Sequence, residues 1–146
     1  MPSPSTPTVR FHFLEEVPLS DRSRLKSFIP SIFKKEKKQI AELQYIFCSD
    51  DYLLSINKQY LDHDYYTDII TFDLSEPRQP INAEIYISVD RVRDNARSFG
   101  TSLKKELHRV IFHGALHLCG YRDKTEREEK DMRKMEDHYL ALYFPE

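Results

Sequence analysis

One stretch limits the folds open to this chain: Phe112-His113-Gly114-Ala115-Leu116-His117-Leu118-Cys119-Gly120-Tyr121-Arg122-Asp123. His113 and His117 are four residues apart, so on an α-helix they share a face and can grip one ion. Gly120 lacks the Cβ that penalises positive φ, so it allows the left-handed residue that ends such a helix. The chain can then double back and carry Asp123 towards the two imidazoles. Three ligands, His113, His117 and Asp123, leave a coordination position open, which is the pattern of a catalytic rather than a structural zinc. Two histidines at this spacing can also be hydrogen-bonded core residues. The flanking glycine and carboxylate favour the metal, because the chain has only three glycines and two of them, Gly114 and Gly120, lie in this stretch. A zinc peptidase of the H-E-x-x-H type carries its general base directly after the first histidine. Here that residue is Gly114, so a zincin-like metallohydrolase is the weakest reading.

At 146 residues the chain is long enough for one domain, 1–146, with a real core. A net charge of −2 excludes nucleic-acid binding through bulk positive charge, and any such surface must be a local patch. Cys48 and Cys119 make neither a disulfide framework nor a zinc knuckle, and read as small buried groups in a reducing compartment. No run reaches transmembrane length and Met1 to Arg10 has no apolar signal core, so the expectation is a cytoplasmic protein with no membrane partner.

Prolines at 2, 4 and 7 predict a frayed start over residues 1–8. Strands are predicted at Val9 to Leu14, Leu43 to Cys48, Asp68 to Leu74 (short and buried) and Ala83 to Val89. Between them, Ser20 is expected to cap a helix bearing Leu25, Phe28, Ile29, Ile32 and Phe33, with Pro30 kinking or splitting it. Lys34, Lys35, Lys37 and Lys38 read as its solvated end. Ser49 caps a second helix and Asp90 a third, which Gly100 closes and whose Arg91, Arg93 and Arg97 face solvent. Ser102 opens the helix of the histidine stretch. Thr125 and Glu128 form a capping box for a last helix with Met132, Met135, Tyr139 and Leu142 inward. The order β-α-β-α-β-β-α-α-α predicts an α+β domain, a small mixed sheet of about four strands covered by about five helices.

Two blocks together carry a family resemblance. His113-Gly114-Ala115-Leu116-His117-Leu118-Cys119-Gly120-Tyr121-Arg122-Asp123 is similar to the signature H-G-x-L-H-L-x-G-Y-D-H of the YbeY family of ribosomal RNA maturation endoribonucleases. Asn57, Tyr60, Asp64, Thr67, Asp68, Ile69, Ile70, Thr71 and Phe72 match its second block, N-x-x-Y-R-x-x-D-x-x-T-D-V-L-S-F. The order of elements also agrees. The resemblance implies a metal-dependent, single-strand-specific endoribonuclease acting in small-subunit ribosomal RNA 3′-end processing and ribosome quality control. Its cofactor would be one Zn2+, and its partners ribosomal RNA and ribosomal components. Two residues depart from the pattern. The third ligand, usually His, is Asp123, and two histidines with a carboxylate also suit Fe2+ or another divalent transition metal. The arginine after the Tyr of the second block is Leu61. Arg122 and His63 are the nearest candidates to replace that cation, and hence the candidate catalytic residues. Asp68 and Glu84 are the candidate proton acceptors. The alternative is a non-catalytic ribosome-associated RNA-binding or assembly factor whose metal holds the fold.

Overall fold

The computed structural model describes residues 6–145. Its elements follow the expected order: β1 (Thr8–Phe13), α1 (Arg22–Lys35), β2 (Ile40–Cys48), α2 (Asp50–Leu61), β3 (Ile69–Asp73), β4 (Ile81–Ser88), α3 (Val89–Ser98), α4 (Leu103–Leu118) and α5 (Glu126–Tyr143). The start expected to fray lies mostly outside the described residues, and Thr8 already belongs to β1.

The four strands form one mixed sheet in the order β1-β2-β4-β3. β1, β2 and β4 run parallel, and β3 returns antiparallel along β4 as an edge strand. It is only partly buried, unlike the buried strand expected there. Registers Val9–Leu43–Ala83, Phe11–Tyr45–Ile85 and Phe13–Phe47–Ile87 stack apolar side chains on one face. Alternation along β3 puts Ile69, Thr71 and Asp73 on that face and Ile70 and Phe72 on the other. The first face packs under α1 and α4 in the main core, while Ile70, Phe72 and Tyr86 meet Leu53 and Ile56 of α2 on the other.

α4 is the organising helix, packed against α1, α3, α5 and the sheet. Ten of its residues are buried, so its local sequence could not be read as a one-sided stripe. A Cβ built on Gly114 would lie 3.0 Å from both Ile69 Cδ1 and Ile85 Cδ1. The missing side chain lets α4 settle onto β3 and β4. A glutamate there would press its Cβ against Ile69 and Ile85 and set its carboxylate beside their apolar side chains, poor surroundings for a zincin base.

Several caps and faces differ from expectation. α1 starts from Asp21 in the left-handed region with no side-chain cap, not from Ser20, and runs unsplit through Pro30. Full burial of Leu25, Ile29, Ile32 and Phe33 outweighs the roughly 3 kcal/mol a helix-interior proline costs. α3 is capped by Ser88, whose Oγ accepts from Arg91 N, and Asp90 instead accepts from the N–H of Asp50 at the start of α2. Arg91 does not stand free in solvent, because its Nε donates to Asp50 Oδ1 at 3.0 Å. On α5 the inward stripe is Met132, Glu136, Tyr139, Leu140 and Tyr143, whereas Leu142 is 43% exposed. The Ser49, Ser102 and Thr125–Glu128 caps form as the sequence predicts.

Candidate metal centre

The helix-and-reversal geometry holds. Gly120 has φ +106°, Tyr121 N donates to Leu116 O, and the chain returns so that Asp123 faces α4. Asp123 Oδ2 lies 3.3 Å from His113 Nε2 and 3.3 Å from His117 Nε2. One ligand atom from each of the three residues falls within 4.8 Å of the other two. Two ligands about 2.1 Å from a tetrahedral zinc stand roughly 3.4 Å apart, so the spacing fits an ion between them.

Hydrogen bonding decides which nitrogens point inward. His113 Nδ1 donates to Glu136 Oε2 at 2.6 Å, and His117 Nδ1 donates to the carbonyl of Tyr121 at 3.0 Å. With both Nδ1 protons engaged, the Nε2 lone pairs aim at a carboxylate oxygen. Such converging lone pairs repel unless a cation or a proton lies between them. The donor set can therefore hold a metal ion. Burial lowers the basicity of His113, but its hydrogen bond to Glu136 and the charges of Glu136, Asp123 and Asp68 reverse this and raise its pKa.

The support behind the histidines was not visible as a motif. Glu136, 5% exposed, also accepts from Arg109 Nη1 at 3.0 Å, and Arg109 Nη2 donates to Asp137 at 2.6 Å. The available signal was a glutamate inside the apolar stripe of α5, and an arginine one helical turn before His113. Glu36 at the end of α1 is a second such residue. It accepts from Tyr121 Oη at 2.8 Å and from Tyr139 Oη, tying the reversal to α1 and α5.

The family model for endoribonuclease YbeY matches residues 15–143. This chain belongs to the YbeY endoribonuclease family. It is 53% identical over 134 residues to the endoribonuclease YbeY of Cytophaga hutchinsonii, covering 90% of this chain and 94% of that one. It is 42% identical to that of Christiangramia forsetii, over 94% and 96% of the two chains. A solution structure of a Thermotoga maritima protein superposes with TM-score 0.63 at 32% identity, covering 90% of this chain and 87% of that one.

Around the YbeY histidine stretch lies an open cleft of about 670 Å³. Leu61, His63, Tyr65, Asp68 and Asp73 line it together with His113, His117 and Asp123. No lysine or arginine is among its described lining residues. Leu61, where the YbeY pattern has arginine, is 39% exposed on the cleft wall and does not pack in the core. Of the two residues expected to replace that cation, His63 reaches the cleft and Arg122 does not. Arg122 is exposed over a separate hollow with Glu128, Asp131 and Lys134. Lys34 of α1 and Lys37 and Lys38 beyond it line yet another hollow, with Pro30, Ile40 and Pro80.

The proton-acceptor candidates separate in the same way. Glu84 accepts from Tyr86 Oη on the α2 side of the sheet and cannot reach the cleft. Asp68 stands at the entry to β3, with Oδ2 3.4 Å from Asn95 Nδ2 and its carbonyl accepting from Ser88 N. Burial raises its pKa, with the charges of Glu136 and Asp123 adding to the shift and His113 opposing it. Among the described residues no helix is long and apolar enough to cross a membrane.

Proposed function

We propose that this chain is a metal-dependent endoribonuclease that cleaves single-stranded ribosomal RNA precursors, with His113, His117 and Asp123 holding one zinc ion. The observation carrying this is the convergence of three ligand atoms, with each imidazole oriented by its own partner, in the cleft that also holds Asp68. When bound, the ion supplies Lewis-acid activation of water or of a phosphoryl oxygen. The residues do the rest. Glu136 and the Tyr121 carbonyl keep the imidazoles in the ligating tautomer. Asp68, held by Asn95 and with a raised pKa, takes up at its carboxylate the proton that the attacking hydroxyl gives up and returns it to the departing oxygen. The 1–146 chain acts as one domain, and buried, unpaired Cys48 and Cys119 suit the cytoplasm. Cleavage of a defined precursor RNA by highly purified protein, lost with chelator and restored with zinc, is the deciding assay. RNA binding without metal-dependent cleavage would favour a ribosome assembly factor, the reading supported by the absence of lysine and arginine among the cleft's described lining residues.

His117→Ala leaves two ligands, and stoichiometric metal is expected to fall to near zero by elemental analysis. Asp123→Ala should weaken binding markedly, while Asp123→His, which adopts the ligand more common in the family, should keep it. Full metal content in His117→Ala would show that other groups hold the ion.

Leu61→Arg adds a guanidinium on the exposed cleft wall, at the C-terminal end of α2 where a positive charge is favoured. A charge-assisted hydrogen bond to phosphate is worth about 1.5–3 kcal/mol. If realised in the transition state, it raises cleavage of naked RNA by about one to two powers of ten. A folded, metal-loaded Leu61→Arg protein no faster than wild type would remove the missing-cation account.

A further inference from the structure

The end of α2 and the loop that leads to β3 expose several aromatic rings, and they are not equivalent. Tyr66 is tied down: its Oη donates to Asp51 Oδ1 at 3.2 Å and its ring lies 5.0 Å from the Arg91 guanidinium. Tyr60 packs edge-on against Phe72. Tyr65 is 56% exposed, and among the described residues its ring partner is His63, stacked at 5.1 Å with planes 21° apart. Tyr65 Oη and His63 Nδ1 are 3.0 Å apart, a second contact beside the ring stack.

The loop beneath is built to hold this pair. Asn57 is fully buried, and its carbonyl accepts from the N–H groups of Asp62 and His63. Its Nδ2 donates to the Tyr65 carbonyl at 2.9 Å, so one residue, through its backbone carbonyl and its side-chain amide, holds both ends of the loop. A flat, water-exposed ring whose backbone is already fixed costs little further ordering when something stacks on it. The same cleft wall carries Asp68, Asp73 and Asp123 and no lysine or arginine among its described residues, a poor surface for phosphates. Base faces offer the remaining attraction, and aromatic side chains hold unpaired bases with little sequence preference.

Resting on the endoribonuclease reading above, we propose that the His63–Tyr65 pair is a stacking platform that seats one unpaired RNA base beside the metal centre. A duplex keeps its base faces covered and gains nothing from such a platform, so the pair selects single strands. His63 acts here as a positioning residue beneath Tyr65.

The test is fluorescence anisotropy of the metal-loaded protein with a cleavage-resistant single-stranded 2′-O-methyl oligonucleotide. Tyr65→Ala should weaken binding by about five- to a hundred-fold, with metal content and melting temperature unchanged because the ring is exposed. Tyr65→Phe keeps the ring and should bind like wild type. The slope of log Kd against log salt should be the same in all three, since stacking releases no counterions. A fully abasic backbone of the same length should bind wild type and Tyr65→Ala alike. Wild-type affinity in Tyr65→Ala, an equal loss in Tyr65→Phe, or a changed salt slope would overturn the platform while leaving the nuclease reading intact. Failure of the wild-type protein to bind any RNA would sink both.

Discussion

Glu136→Ala is expected to be the most damaging single substitution outside the three proposed ligands, lowering both stability and metal affinity. Glu136 is buried and joins Arg109 to His113, so its removal leaves a guanidinium of 10% exposure with one partner, the largely exposed Asp137. Breaking a buried pair costs about 3–5 kcal/mol, and the surviving Asp137 bond puts this case near 3. Against a total stability of about 5–15 kcal/mol that is a large share. At about 2–4 °C per kcal/mol, the melting temperature should fall by about 6–12 °C. Loss of the His113 orienting bond should weaken zinc by about 10- to 100-fold.

Glu136→Gln separates charge from shape. Zinc must displace a proton from His113, whose pKa lies above the ordinary imidazole value. In wild type, the apparent zinc affinity therefore begins to fall as pH drops below that raised value, at a higher pH than for an unperturbed histidine. Gln keeps an acceptor but removes the negative charge, so the loading midpoint should move to lower pH. Metal titrations at several pH values read this directly. An unchanged midpoint in Gln, together with wild-type melting and zinc affinity in Ala, would mean that Glu136 is a bystander.

Asp68→Asn is expected to slow RNA cleavage by about two to four powers of ten, the usual worth of a positioned proton carrier. In barrier height that is about 3–5 kcal/mol. Asp68 lines the cleft but is not one of the three converging ligands, so metal content should not change. Asn preserves size and still accepts from Asn95, which separates proton transfer from packing. Glu84→Gln is the matched control and should be nearly silent, because Glu84 sits across the sheet, bonded to Tyr86. Wild-type rates in Asp68→Asn would remove this carboxylate from the chemistry.

Local order was enough to read much of the molecule. The nine elements and their sequence follow from alternation, caps and turn residues, each a property of a few neighbouring positions. The cluster of His113, His117 and Asp123 is equally local, since a helical repeat of four and one positive-φ glycine bring the three together within eleven residues. The resemblance to the family was legible in two short blocks for the same reason, and the match over residues 15–143 established membership. What needed the tertiary structure was every pairing across long separations. Glu136 meets His113 from 23 residues away, and Glu36 reaches Tyr121 from 85. Nothing local distinguishes a buried, bonded glutamate from a solvated one. The sorting of Asp68 from Glu84 and of His63 from Arg122 depended on strand register and on the direction of one reversal. A shift of one residue in either would exchange the faces. The same holds for Pro30 and for Gly114, where packing against distant side chains, rather than local propensity, set the outcome.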